Sequence, residues 1–124
     1  MKKILIVDDE RDIESLYRQY FRKAINEQKL SLQFAFSGSE ALEMIGNQCD
    51  PELIMLTDIN MPGMTGLELL QKVKEKCPKA MVYVVSAYDT AAYHTSAKEF
   101  GAEEFITKPI DFLMLKEKLV NINL

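Results

Sequence analysis

The chain has 124 residues, 48% apolar and 27% charged, which describes one ordinary globular domain and excludes fibrous or disordered chains. Fifteen basic against nineteen acidic side chains give a formal charge of −4, the wrong balance for a protein that grips a phosphate backbone. No apolar run approaches the ~20 residues a bilayer span needs, and Ile4-Leu5-Ile6-Val7 stops at Asp8-Asp9-Glu10, too soon for a signal peptide, so the cytoplasm is the expected location.

Short apolar runs alternate with amphipathic segments. Ile4-Leu5-Ile6-Val7 reads as a strand buried on both faces. Ile13, Leu16, Tyr17, Tyr20, Phe21, Ala24 and Ile25 then form one stripe on a single helix of about four turns. Leu32, Phe34 and Phe36 alternate like a strand near a sheet edge. Ser37 and Glu40 have capping-box spacing, which starts a second helix that stops at Gly46.

Leu53-Ile54-Met55-Leu56 is the third strand, followed by a loop at Met61-Pro62-Gly63. Thr65 and Glu68 repeat the cap before a third helix that Cys77-Pro78 closes. Met81 to Val85 is the fourth strand, Ala91 to Phe100 a fourth helix ended by Gly101, and Phe105-Ile106 a short fifth strand. Asp111 caps a last helix carrying Phe112, Leu115 and Leu119.

Five strand–helix pairs predict an α/β fold: a five-stranded parallel sheet, doubly wound and flavodoxin-like, with helices on both faces. In such sheets ligands bind beyond the carboxyl ends of the strands, where strand order reverses. Asp8 and Asp9 end the first apolar run, Asp58 the third, Ser86 the fourth, and Lys108 follows the fifth. Each residue alone fits a turn or cap; their coincidence on four strand ends does not. Three converging carboxylates call for a counter-charge that a hard divalent cation such as Mg²⁺ supplies. A carboxylate beside such a cation and a lysine suits phosphoryl chemistry, with the carboxylate as nucleophile.

Ile4 to Glu10, Asp58-Ile59-Asn60-Met61-Pro62-Gly63-Met64-Thr65-Gly66, Val84-Val85-Ser86-Ala87-Tyr88, Gly101-Ala102 and Phe105-Ile106-Thr107-Lys108-Pro109 occur in that order. Over essentially its whole length the chain resembles the receiver domain of two-component response regulators. The resemblance implies that Asp58 accepts a phosphoryl group from a sensor histidine kinase or a histidine phosphotransfer protein. It implies that Asp9 and Asp58 ligate Mg²⁺, with the Asn60 backbone carbonyl, while Asp8 acts through metal-bound water. Ser86 and Lys108 match the hydroxyl and lysine that contact the phosphoryl group, and Ala87 the small residue that leaves room for it. Phe105 matches the aromatic that turns inward on activation, changing the face of the fourth helix, fifth strand and fifth helix. Asn60 and Tyr88 match the positions that tune dephosphorylation, and Lys108-Pro109 a bond that is typically cis. Ser86 stands where Thr is commoner, and Phe105 where Tyr is.

On this reading residues 1–124 are one receiver domain without an effector domain, a monomer or a phosphorylation-dependent dimer. It would catalyse only its own phosphorylation and autodephosphorylation. The alternative is a receiver excised from a longer, for example DNA-binding, regulator, which the ending Asn121-Ile122-Asn123-Leu124 leaves open. An aspartyl-phosphate phosphatase fits poorly, because Asn60 stands where its second Asp would act as acid and base. A flavin carrier would need a Ser/Thr/Gly-rich loop in place of Asp8-Asp9-Glu10. His94 reads as a surface histidine, the seven methionines as core filler, and Gly38 and Gly66 as turn or helix-start residues. Cys49 and Cys77 lack metal-ligand spacing and do not look like a disulfide framework, so they are expected to be small semi-buried residues or loop thiols.

Overall fold

A computed structural model describes residues 2–47, 49–50, 52–88 and 90–120, with nothing said of the Val120 side chain. The segment 121–124, on which the question of an excised receiver turned, lies outside the described residues. The elements are β1 (Lys2–Val7), α1 (Ile13–Tyr20), α2 (Arg22–Asn26), β2 (Leu30–Ala35), α3 (Gly38–Ile45), β3 (Ile54–Asp58), α4 (Gly66–Lys76), β4 (Met81–Ser86), α5 (Ala91–Glu99), β5 (Glu104–Thr107) and α6 (Phe112–Val120).

All neighbouring strands are parallel, in the order β2-β1-β3-β4-β5. Side chains alternate across each strand, and the alternation sorts the core into two layers. Leu5, Val7, Met55, Val82 and Val84 pack with Ala41, Leu69, Leu70, Val73 and Ala97 of α3, α4 and α5. Ile4, Ile6, Ile54, Leu56 and Val85 pack with Tyr17, Ala24, Leu115 and Leu119 of α1, α2 and α6 and with Phe21 between α1 and α2. Ile4 to Val7 are buried throughout, as expected of a strand covered on both sides. Each fully buried Ile, Leu or Val contributes ~1.5–3 kcal/mol relative to exposure.

Caps at the predicted positions start three helices. Ser37 Oγ accepts from Glu40 N–H, Thr65 Oγ1 from Glu68 N–H, and Asp111 Oδ1 from Met114 N–H. Thr90, which the sequence did not single out, caps α5 by accepting from Tyr93 N–H.

Three expectations are corrected. The first helix is divided at Phe21, whose backbone leaves helical geometry (φ −101°, ψ 7°) as its buried ring packs on Tyr17. The bonds Phe21 N–H to Tyr17 C=O and Ile25 N–H to Phe21 C=O run through the break, so the stripe continues, while Leu16 and Tyr20 sit at its exposed margin. The second strand begins at Leu30 and ends before Phe36, because Ser37 has already turned the chain into α3; Phe36 lies under the Arg11 guanidinium instead.

The cysteines are not free thiols. Cys49 and Cys77 form a disulfide with Cα atoms 5.5 Å apart. Both precede neighbouring strands, β3 and β4, so sheet pairing brings them together at the amino-terminal edge, where Met81 N–H also donates to Leu53 C=O.

Candidate functional site

Chain order reverses between β1 and β3: the chain leaves β1 for β2 on one side, then crosses to β3 on the other. The register Val7↔Thr57 sets Asp8, just past β1, beside Asp58, the last residue of β3. Asp8, Asp9 and Asp58 each offer a carboxylate oxygen within 4.8 Å of the others. Asp8 and Asp58 are buried, and Asp9 is exposed. Such a set of hard oxygen donors fits Mg²⁺, which keeps several waters and takes one or two carboxylates.

Lys108 supplies the positive charge from the other side. Its Nζ lies 2.9 Å from Asp58 Oδ2 and 3.6 Å from Asp8 Oδ2. Its reach is set by β5 and β4: Lys108 N–H donates to Ser86 C=O, and Ser86 pairs with Thr107. Burial pulls the lysine pKa down, but the hydrogen bond and charge of Asp58, with the charges of Asp8 and Glu10, outweigh it and raise the value. For Asp8, burial dominates and raises the pKa, with the Asp58 and Glu10 charges adding; the Glu10 N–H and Lys108 pull the other way without cancelling it. Asp8 Oδ1 accepts that Glu10 N–H at 3.0 Å.

Asp58 is held on its remaining sides. Its Oδ1 accepts from Asn60 N–H at 3.2 Å, and its backbone carbonyl accepts from the buried Thr57 hydroxyl. Gly66, at the start of α4, comes so close that a Cβ there would stand 2.0 Å from the Asp58 carbonyl oxygen. Gly66 is the first residue of α4, within the turn or helix-start role expected of it, and its close approach to Asp58 leaves no local signal in the sequence.

Ser86 is fully buried one strand away. Its hydroxyl donates to Asn60 Oδ1 at 3.2 Å and accepts from Tyr88 N–H at 3.0 Å. The Tyr88 ring and Ala87 are exposed. Lys108-Pro109 is cis. Phe105 stands outside this cluster of polar contacts: it is half-buried and stacks on His94, with centroids 4.0 Å apart. That contact was missed, because nothing in the sequence of α5 marks His94 as a partner of β5.

No helix among the described residues is long and apolar enough to cross a membrane. A family model for the response regulator receiver domain matches residues 4–120. The response regulator protein PilR of Pseudomonas aeruginosa is 34% identical over 116 residues, 94% of this chain and 25% of that protein. The regulator of RpoS of Escherichia coli is 35% identical over 117 residues, 94% of this chain and 33% of that protein. The chain thus spans about a quarter to a third of these curated relatives. A CheY-like receiver domain protein from Methanospirillum hungatei has a TM-score of 0.83 at 29% identity, covering 96% of this chain and 90% of that one. The response regulator TrrA of Thermotoga maritima, solved in complex with Mg²⁺ and BeF, has a TM-score of 0.74 at 32% identity, with 96% of each chain covered.

Proposed function

Given that the chain belongs to the receiver domains of two-component response regulators, we propose that Asp58 is its phosphoacceptor and that Asp9, Asp58 and the Asn60 carbonyl hold Mg²⁺, with Asp8 acting through a bound water. The observation that carries this reading is the single cluster of Asp8, Asp9 and Asp58 oxygens with the Lys108 ammonium 2.9 Å from Asp58. TrrA, a similar response regulator, is solved in complex with Mg²⁺ and BeF, which supports this reading.

An Asp58 carboxylate oxygen attacks phosphorus in line as the bond to the donor breaks, and the electron pair leaves with the donor. For a phosphohistidine donor the freed imidazole nitrogen then takes up a proton. Lys108 offsets charge on the phosphoryl oxygens, and Asn60 N–H holds the Asp58 carboxylate in one orientation. Bound Mg²⁺ supplies further positive charge to those oxygens. The domain therefore contributes positioning and electrostatics.

Once Asp58 is modified, the Ser86 hydroxyl exchanges Asn60 for a phosphoryl oxygen as its acceptor. Phe105 follows it, so that the face formed by α5, β5 and α6 presents a different surface to a partner. Asn60, whose N–H reaches Asp58, and Tyr88, whose N–H reaches Ser86, tune how readily the aspartyl phosphate is hydrolysed. The donor is a histidine kinase or a histidine phosphotransfer protein in the cytoplasm, and the domain acts as a signalling module, with no nucleic acid bound by this chain. Reductive trapping tests the assignment: borohydride converts an aspartyl phosphate to homoserine, and peptide mapping should find homoserine at position 58. Homoserine elsewhere, or none under conditions that phosphorylate the protein, would contradict it.

A further inference from the structure

Resting on the receiver reading above, we propose that His94 is the residue that positions Phe105 in the unphosphorylated molecule, so that its ring stack sets how readily the Phe105 switch is thrown. The His94 and Phe105 ring centroids are 4.0 Å apart with planes 28° apart. The contact joins α5 to the edge strand β5, and it involves the one aromatic of β5.

The sheet geometry shows why this contact matters to the switch. Phe105 pairs with Val84 and Thr107 with Ser86, so alternation sets Val84, Ser86, Phe105 and Thr107 on the same face of the sheet, the face covered by α5. Phe105 and Ser86 are thus on adjacent strands and one face, with Phe105 two residues before the residue paired with Ser86. A change of χ1 well carries a phenyl centroid ~4–5 Å, comparable with the whole centroid separation of the stack. The ring cannot change well and keep its partner.

The two rings are secured unequally. Phe105 is half-buried and packs against the core layer that holds Val84 and Ala97, whereas His94 is exposed on the second turn of α5. Thr90 starts that helix by accepting from Tyr93 N–H, and His94 N–H donates to Thr90 C=O, so the imidazole stands on a capped turn. His94 therefore stacks on Phe105 from a helix that follows Ser86 by a short segment, in which Tyr88 N–H donates to the Ser86 hydroxyl. Removing the imidazole deletes one partner of a stacked pair and leaves the Asp8, Asp9, Asp58, Lys108 and Ser86 contacts as they are. Loss of a stacked pair shifts a rotamer equilibrium by ~2–10-fold.

The test follows the Phe105 ring directly, by fluorine NMR of protein labelled with fluorophenylalanine, the signal being assigned with Phe105→Leu. Wild type, His94→Ala and His94→Phe are compared without phosphoryl mimic and during titration with beryllofluoride and Mg²⁺. In His94→Ala the mimic-free Phe105 signal should move part of the way toward its beryllofluoride position, and half-conversion should need ~2–10-fold less mimic. His94→Phe, which can restore a ring partner, should return both toward wild type. If wild type responds to beryllofluoride but His94→Ala matches it in signal and midpoint, the positioning role is overturned while the receiver reading stands. If the Phe105 signal of wild type does not move although Asp58 binds the mimic, the switch assignment is overturned and the His94 role with it.

Discussion

Replacing Asp8 with Asn should stabilise the metal-free protein at neutral pH, even though it removes a charge facing Lys108. Three carboxylates offer oxygens within 4.8 Å of one another, and two of the three are buried. A pair of like charges about 5 Å apart repels by ~1 kcal/mol in water and ~3 kcal/mol at an effective dielectric of about 20. Lys108 offsets part of this, but it lies nearer to Asp58 (2.9 Å) than to Asp8 (3.6 Å). Burial is the largest influence on Asp8 and, with Asp58 and Glu10, raises its pKa despite Lys108 and the Glu10 N–H. Asn keeps the Oδ1 that accepts the Glu10 N–H and replaces the charged Oδ2 facing Lys108 with a neutral amide NH2. The net gain should be ~1–2 kcal/mol, or a rise in Tm of ~3–8 °C.

The sign with pH follows from the raised value. The folded state takes up a proton at Asp8 more readily than the unfolded chain does. Wild type therefore gains relative stability as pH falls through the carboxylate range and loses it as pH rises. The gap between Asp8→Asn and wild type should be widest near pH 7 and close toward pH 4. Mg²⁺ should stabilise wild type more than the variant, narrowing the gap from the other side. Urea unfolding of both proteins, at several pH values and with and without Mg²⁺, measures all three effects. An Asp8→Asn variant less stable than wild type at pH 7 without metal would refute the reasoning, because the Lys108 ion pair would then outweigh burial and repulsion.

Gly66→Ala should destabilise the fold by ~1–3 kcal/mol through overpacking, since the added Cβ would stand 2.0 Å from the Asp58 carbonyl oxygen; unchanged urea unfolding would contradict that close approach. Reducing the Cys49–Cys77 disulfide, which closes a loop across 28 positions, should cost about 3–4 kcal/mol by loop-closure entropy. A Cys49→Ser variant that unfolds at the same urea concentration with and without reductant, but well below the oxidised wild type, is the expected pattern. Burial, helped by the Asp8 and Asp58 charges, raises the Tyr17 phenol pKa, so its contribution is complete below the ordinary phenol range and is lost as pH rises beyond ~10. Tyr17→Phe should therefore delay alkaline unfolding, as followed by circular dichroism; an unchanged onset would show that another group controls it.

The residues at the strand ends could be read in advance because a parallel sheet collects its ligands there. Asp8, Asp58, Ser86 and Lys108 each follow an apolar run, and the pairings Val7↔Thr57 and Ser86↔Thr107 bring those ends side by side. The caps at Ser37, Thr65 and Asp111 were legible for a related reason, since a cap is a contact between residues three apart. What escaped depends on contacts between distant segments. The Cys49–Cys77 pairing requires β3 and β4 to be neighbours, a fact of sheet order that cysteine spacing does not carry. Gly66 matters because of the Asp58 carbonyl above it, and His94 because of a ring on the next element. The break at Phe21 falls within an apolar stripe whose period is uninterrupted, so periodicity alone predicts one helix.

The central claim concerns Asp58, and intact mass tests it most directly. The protein is incubated with a small phosphodonor and Mg²⁺, alongside an Asp58→Ala variant and a sample containing chelator. One phosphoryl adduct on the wild-type chain, absent from the variant and from the chelated sample, is the predicted result. An adduct that persists in folded Asp58→Ala, or that forms equally well without the metal, would contradict the account.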